Sequence, residues 1–154
     1  MIPRIVDPFS KATAGIKGMY AVEAAIAGNL DKTLLHLVKL RASQINGCAF
    51  CLHMHATAAR ADGETEMRIY LLDAWRESTL YSARERAALA WTEALTDVAR
   101  NGASDTDYEL VEASFDETER VYLTLAIGAI NLWNRLQVGL RAVHPPEESN
   151  GQAA

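Results

Sequence analysis

Both cysteines of this 154-residue chain lie in one short motif, Cys48-Ala49-Phe50-Cys51, and a histidine, His55, follows one helical turn later. Two thiols separated by two residues can form a disulfide, and a nearby imidazole can accept or return a proton. Thiol chemistry requires the thiolate, which a helix N-terminus or a neighbouring base favours. The spacing therefore predicts redox chemistry at Cys48 and Cys51, with His55 as the partner of the thiols.

A helix that starts at about Cys48 places the three side chains on one face. At about 100° per residue, Cys48, Cys51 and His55 fall within about 60° of one another. His53 lies about 140° from Cys48, so we expect it at the solvent or at an interface. The N-terminus of the helix by itself favours Cys48 as the anion. His55 favours the second thiol, because it lies one turn beyond Cys51.

Two other interpretations of the motif stay open at this point. Free cysteine is often buried as a small apolar side chain, so the pair could simply pack in the core. Cys48, Cys51 and His55 could instead hold a metal ion, with His36 as the obvious fourth ligand. Structural zinc sites usually take four ligands from a looped framework, which favours the redox interpretation. A metal-binding or redox-sensing helical oligomer is the alternative from another functional class.

Composition limits the functional classes further. A net charge of −5 and a pI near 5.3 argue against a nucleic-acid-binding surface, because such a surface is basic. The N-terminus has no apolar segment typical of a signal peptide. The most apolar stretch, residues 121–133, is too short to span a bilayer. We therefore expect a cytoplasmic protein that binds neither nucleic acid nor membrane, a compartment where C-x-x-C pairs are more often catalytic or metal-binding than structural.

The elements that position the motif are predicted to be helices throughout. Alanine is abundant, prolines lie near the two ends, and apolar residues recur at three- and four-residue spacing. Helix-start and helix-stop signals divide the chain into segments over about 9–27, 31–46, 48–63, 64–75, 82–101, 104–115 and 116–143. The last of these is apolar nearly all round over residues 121–133, so we expect it to be the central, buried helix.

These segments predict a single all-α domain over residues 1–145 and a disordered polar tail over residues 146–154. Aromatic side chains on three different helices are expected in the core or at a subunit interface, namely Trp75, Trp91 and Trp133. Polar side chains on the apolar last helix need partners there. Asn131, Asn134 and Arg135 could hold the bundle or an oligomer interface together or could line the cysteine pocket, and we expect the structural role.

From about Leu34 to Arg60 the chain resembles the AhpD-like (alkylhydroperoxidase) branch of the carboxymuconolactone decarboxylase family. The residues that carry the resemblance are LVKLRASQINGCAFC over 37–51, then Met54 and His55, and NLWNRL over 131–136. The resemblance implies an AhpD-like helical bundle that assembles into homo-oligomers, which are trimers or hexamers in relatives. It also implies thiol hydroperoxidase activity with no bound cofactor. The substrate would be a hydroperoxide, and a separate dithiol protein would return the electrons.

In the mechanism that the resemblance implies, Cys51 attacks the hydroperoxide, Cys48 resolves the sulfenic acid and His55 relays the proton. This order competes with the effect of the helix N-terminus, which favours Cys48. Decarboxylation of a lactone, the reaction that names the family, is an alternative by fold analogy alone, and it does not call for a C-x-x-C.

Two positions depart from the AhpD pattern. The AhpD enzymes carry a glutamate twelve residues before the first cysteine, which polarises the histidine, and His36 occupies that position here. An imidazole cannot act as a fixed anion, but it can act as a base near neutral pH, so His36 joins the candidate catalytic residues. The nearest carboxylate expected beside it is Asp31, more than one turn away. Phe50 replaces a histidine between the cysteines.

Overall fold

The computed structural model describes residues 1–146, and every regular element within them is helical. The α-helices are α1 (Pro8–Lys11), α2 (Thr13–Ala27), α3 (Lys32–Ile45), α4 (Ala49–Ala61), α5 (Glu66–Tyr70), α6 (Ala83–Thr96), α7 (Val98–Asn101), α8 (Asp105–Glu112) and α9 (Glu117–Leu140), with a 3₁₀ turn at Leu72–Ala74. The predicted all-α class is confirmed. The predicted tail from Glu147 onward lies outside the described residues.

Helix α3 forms the centre of the bundle and packs against α4, α6 and α9. The helix begins at Asp31, whose Oδ1 accepts a hydrogen bond of 2.9 Å from the backbone N–H of Leu34. Half of its fourteen residues are buried, namely Leu34, Leu35, Leu37, Val38, Leu40, Ala42 and Ser43. Because it is covered from several sides, α3 can present different residues to the site and to the core.

Helix α9 is not the central helix, which corrects the expectation from its apolar sequence. A capping box of Asp116 and Glu119 starts the helix, and one side of it is buried, including Leu123, Ala126, Ile127 and Ile130. The opposite side leaves Val121, Leu125 and Leu132 between 45% and 60% exposed. An apolar pattern marks surfaces that avoid water, but it cannot tell a chain's own core from a surface that a second chain covers.

Several predicted helices are shorter in the structure. The first breaks at Ala12, where φ is −134°, and so divides into α1 and α2. The segment from Glu64 forms only α5 and the 3₁₀ turn, and the helix that starts after Ser82 ends at Asp97 before the separate turn of α7. The last helix ends at Arg141, whose φ is 55°. None of the helices in residues 1–146 has the length and apolar character needed to cross a bilayer.

Candidate active site

The turn between α3 and α4 positions both cysteines. Asn46 closes α3, and Gly47 has φ +64°, a left-handed conformation that glycine adopts without strain. The backbone N–H of Cys48 then donates to the Ser43 carbonyl oxygen at 3.0 Å. Cys48 is the N-cap of α4, and its Sγ accepts a hydrogen bond of 3.3 Å from the backbone N–H of Cys51. Cys51 therefore lies in the first turn of α4, three residues after the N-cap.

Side-chain amides of α9 hold this turn in place. Asn46 Nδ2 donates to Asn131 Oδ1 at 3.0 Å and to Asn134 Oδ1 at 2.9 Å. Asn134 Nδ2 in turn donates to Ser43 Oγ at 3.0 Å. Asn131 and Asn134 are both buried, so these hydrogen bonds satisfy polar groups that would otherwise be costly. The structural role expected for the two asparagines is confirmed. The same bonds explain physically why Ser43 and Asn46 precede Cys48 in the stretch that carries the resemblance.

The two sulfurs differ in what they can meet. Cys48 and Cys51 are joined in a disulfide, with their Cα atoms 5.3 Å apart, and each residue is only 1% exposed. Cys51 lines a cavity of about 290 Å³, and Cys48 is not among the residues that line it. A molecule entering the cavity therefore reaches Cys51 first, with Cys48 directly behind it.

The cavity is lined by aromatic and apolar side chains together with a smaller set of polar groups. The aromatic and apolar residues come from α1, α2, α4 and α9, and they are Phe9, Tyr20, Phe50, Met54 and Trp133. The Trp133 ring lies 5.8 Å from the Phe9 ring and 5.6 Å from the Tyr20 ring, measured between centroids. The polar groups are Glu23, Lys39, His55 and Gln137. Such a cavity suits a molecule with an apolar body and one polar end.

His55 shares the cavity with Cys51, as its position one turn farther along α4 predicts. Burial lowers the pKa of His55 from 6.5 to about 3, and the positive charges of Lys39 and His36 add to this effect. The imidazole is therefore uncharged at neutral pH in the disulfide form. It makes no hydrogen bond with any side chain or backbone group in residues 1–146, so both ring nitrogens are available to a bound molecule.

His36 points to a carboxylate outside the cavity. Its Nε2 lies 2.6 Å from Asp62 Oδ2, and the other oxygen of Asp62 accepts a hydrogen bond of 2.5 Å from Lys32. The hydrogen bond from Lys32 lowers the pKa of the Asp62 carboxyl group most, and the hydrogen bond from His36 lowers it further. The expectation that Asp31 is the nearest carboxylate was wrong, because Asp62 follows α4 and reaches α3 only through the packing of the two helices. His36 contributes to the low pKa of His55 through its charge, and this contribution is smaller than that of burial or of Lys39.

Three charged or amide side chains of the cavity were not among the sequence candidates. Lys39 Nζ lies 2.6 Å from Glu23 Oε2, and Glu23 Oε1 accepts a hydrogen bond of 3.0 Å from Trp133 Nε1. Gln137 is 8% exposed, and its side-chain amide makes no hydrogen bond within residues 1–146. The signals for Lys39 were its place in the 37–51 stretch that carries the family resemblance and its position four residues before Ser43. Glu23 and Gln137 gave none, because they come from helices far away in sequence.

The remaining candidates lie away from the cavity. His53 stacks on His144 with 5.2 Å between ring centroids, in agreement with the position predicted off the thiol face. Trp75 and Trp91 are buried in the core, as expected. Within residues 1–146, no three His, Cys, Asp or Glu side chains are grouped so that they could hold a metal ion. The metal interpretation therefore gains no support from the geometry.

Comparison with known proteins agrees with this fold and motif. Residues 11–94 match the carboxymuconolactone decarboxylase family. The chain is 40% identical over 136 residues to the uncharacterized protein YdfG of Bacillus subtilis strain 168, which covers 88% of this chain and 92% of YdfG.

Two solved structures have the same fold. ATU0492 of Agrobacterium tumefaciens, a protein of unknown function described as a candidate AhpD antioxidant defence protein, is 44% identical, with a TM-score of 0.90 over 95% of this chain and 100% of that chain. The debrominase Bmp8 has a TM-score of 0.79 over 89% of this chain and 74% of that chain, at 15% identity, which shows the fold alone. Because the family match spans more than half of the sequence and YdfG is similar over most of its length, the chain belongs to the carboxymuconolactone decarboxylase family.

Proposed function

We propose that this protein is a thiol-dependent hydroperoxide reductase, an oxidoreductase that uses the Cys48–Cys51 pair. One observation carries the proposal: Cys51 lines an apolar cavity beside the uncharged imidazole of His55, while Cys48 lies behind it within disulfide distance. A hydroperoxide has an apolar body and a polar O–O–H end, which matches the cavity. The similarity to ATU0492, described as a candidate AhpD antioxidant defence protein, supports the same activity.

In the proposed cycle the Cys51 thiolate attacks the terminal oxygen of a hydroperoxide, ROOH. The S–O bond forms and the O–O bond breaks, which gives a sulfenic acid on Cys51 and an alkoxide. His55 takes the proton of the Cys51 thiol and returns it to the alkoxide, which leaves as the alcohol ROH. The Cys48 thiol then attacks the sulfenic acid, releases water and closes the disulfide. Two electrons have passed from the dithiol to the peroxide.

The protonation state of His55 follows the redox state of the cysteines. In the disulfide form no negative charge on sulfur lies near the imidazole, and burial keeps its pKa low. A thiolate on Cys51 places a negative charge nearby, which raises the pKa of the imidazole. His55 can therefore hold the thiol proton only while Cys51 is an anion. This is the stage of the cycle at which the proton must be stored.

A separate dithiol protein is proposed to return the two electrons. Both cysteines are 1% exposed, so the donor thiolate has to reach the disulfide through the cavity and attack the Cys51 sulfur. The cycle needs no bound cofactor, and we place it in the cytoplasm, where dithiol donors are kept reduced.

Stopped-flow oxidation of the fully reduced protein tests the proposal. With one equivalent of cumene hydroperoxide we expect one intramolecular Cys48–Cys51 disulfide per chain, detected by loss of thiols and by intact mass. The reaction should be at least about 10²-fold faster than that of free cysteine, because a positioned base and a thiolate act together. Protein unfolded in urea is the control and should react like free cysteine. A native protein that reacts no faster than this control would contradict the proposal.

We also propose that the protein is a homo-oligomer, a trimer or a hexamer, in which α9 contributes to the interface. Val121, Leu125 and Leu132 form one exposed apolar stripe along α9, and the exposed side chain of Val22 on α2 borders it. Sedimentation equilibrium should give three or six times the chain mass of 16.9 kDa. Leu125→Asp should lower this mass, whereas Met67→Asp, at an exposed site on α5, should not. A monomeric wild-type protein would exclude the oligomer.

A further inference from the structure

The cavity beside Cys51 contains an ion pair that the cycle above does not use. Lys39 and Glu23 are joined at 2.6 Å, and their side chains are only 16% and 19% exposed. Removing two charges from water is costly, and two apolar side chains could join α2 to α3 without that cost. We propose that the Lys39 ammonium, held by Glu23, is the counter-charge for the Cys51 thiolate. The inference rests on the proposed function only in making Cys51 the reacting sulfur.

The backbone N–H groups at the N-terminus of α4 do not stabilise a negative charge on Cys51. The backbone N–H of Cys51 donates to Cys48 Sγ, so the N-cap interaction stabilises a negative charge on Cys48 instead. A thiolate on Cys51 needs another source of positive charge, because burial in an apolar cavity raises the pKa of a thiol. Lys39 is the only lysine or arginine that lines this cavity within residues 1–146.

The hydrogen bonds of the pair leave the ammonium available. Glu23 uses one carboxylate oxygen for Lys39 and the other for the indole N–H of Trp133, which fixes the carboxylate. An ammonium has three N–H donors, and Lys39 uses one of them within residues 1–146. The other two can point to a thiolate or to the oxygen that leaves it. Glu23 is thus a positioning residue for Lys39.

The other groups that face Cys51 do not replace this charge. From α3, His36 lies one turn before Lys39, but its ring is paired with Asp62 outside the cavity. From α4, His55 becomes cationic only by taking the thiol proton, so it supplies no positive charge before Cys51 ionises. From α9, Gln137 and Trp133 are neutral, and α1 contributes the apolar Phe9. Without Lys39, the Glu23 carboxylate would be the one charged side chain of residues 1–146 that lines the cavity before Cys51 ionises, and it would repel a thiolate.

The test measures the pKa of the Cys51 thiol in full-length Cys48→Ser protein, from the pH dependence of iodoacetamide alkylation followed by intact mass. Lys39→Met is expected to raise this thiol pKa by about one unit, which leaves about tenfold less thiolate at neutral pH. Lys39→Arg keeps the charge and should keep the pKa near that of the parent. Lys32→Met, on the same helix but with a side chain that is 71% exposed, is the matched control and should change nothing.

Glu23→Gln tests the direction of the shift in the thiol pKa. It removes a negative charge from the cavity and leaves the lysine, so the thiol pKa should fall. If the ion pair only held α2 to α3, the two variants would leave the thiol pKa unchanged or would shift it in the same direction. Either result would overturn the inference. Glu23→Gln also keeps the inference testable if Lys39→Met does not fold. Alkylation needs no peroxide, so these results are independent of whether the protein reduces hydroperoxides.

Discussion

Cys51→Ser is expected to abolish hydroperoxide turnover, a loss of about 10³-fold or more, whereas Cys48→Ser is expected to complete one reduction and then stop. The reason is the position of the two sulfurs: Cys51 lines the cavity and Cys48 does not. Without Cys48 the sulfenic acid on Cys51 has no thiol to condense with. Steady-state consumption of cumene hydroperoxide with dithiothreitol measures the turnover of Cys51→Ser. Cys48→Ser is reduced beforehand and oxidised without added thiol, because dithiothreitol would itself reduce the sulfenic acid, which dimedone labelling with mass spectrometry detects.

Ala49→Ser is the matched control, because this exposed residue lies between the two cysteines and contributes no thiol. It should keep full activity. The reverse result, with an inactive Cys48→Ser and a trapped sulfenic acid in Cys51→Ser, would move the nucleophile to Cys48 and show that the helix N-terminus outweighs the cavity. If both single variants kept full activity, the dithiol mechanism would be wrong.

Local rules of sequence predicted the parts of this molecule that depend on neighbouring residues. Asp31 and Ser82 start the helices predicted from residues 31 and 82, the latter through a capping box with Glu85, and Gly47 and Gly63, at the ends of the predicted segments 31–46 and 48–63, have positive φ. Each of these features is decided within about four residues, so the chain itself carries the signal. The place of His55 beside Cys51 was predictable for the same reason, whereas Cys48, as the N-cap, does not line the cavity that these two share.

The groups that surround the thiols were not predictable in this way. Glu23 lies 25 positions before Cys48 and Gln137 lies 86 positions after Cys51, and only the packing of α2 and α9 brings them to the cavity. The partner of His36 was misjudged because Asp62 is near in space and distant in sequence. The burial of α9 was misjudged because an apolar stripe looks the same whether a core or another chain covers it.

His55→Gln is expected to slow disulfide formation by about 10²- to 10⁴-fold, because glutamine has a similar polarity but cannot accept the thiol proton. Stopped-flow oxidation with cumene hydroperoxide measures the rate. His53→Gln changes the other histidine of α4, which lies off the cavity, and should react like the wild type. The proton relay would be excluded if His55→Gln reacted as fast as this control at every pH.

The same variant should make the disulfide form more resistant to acid. The folded protein holds the pKa of His55 at about 3, and the unfolded chain has the ordinary value of 6.5. The unfolded state therefore binds more protons between these values, so the free energy of unfolding falls as pH drops below 6.5. At pH 5 the loss is about 2 kcal/mol relative to pH 7, and His55→Gln should not show it.

Urea unfolding of both proteins at pH 7 and pH 5 measures this difference in stability. Carboxyl groups contribute little to it, because they take up protons mainly at lower pH. Burial opposes ionisation of Glu93, but hydrogen bonds from Trp75 and two arginines lower its pKa, so its contribution is lost only below about pH 4.5. In the reduced protein a thiolate on Cys51 raises the pKa of His55, so the wild type should lose less stability in acid than its disulfide form does. If the two redox states lost the same stability in acid, the pKa of His55 would not depend on the charge of Cys51. His55 would then not be the base of the proposed proton relay.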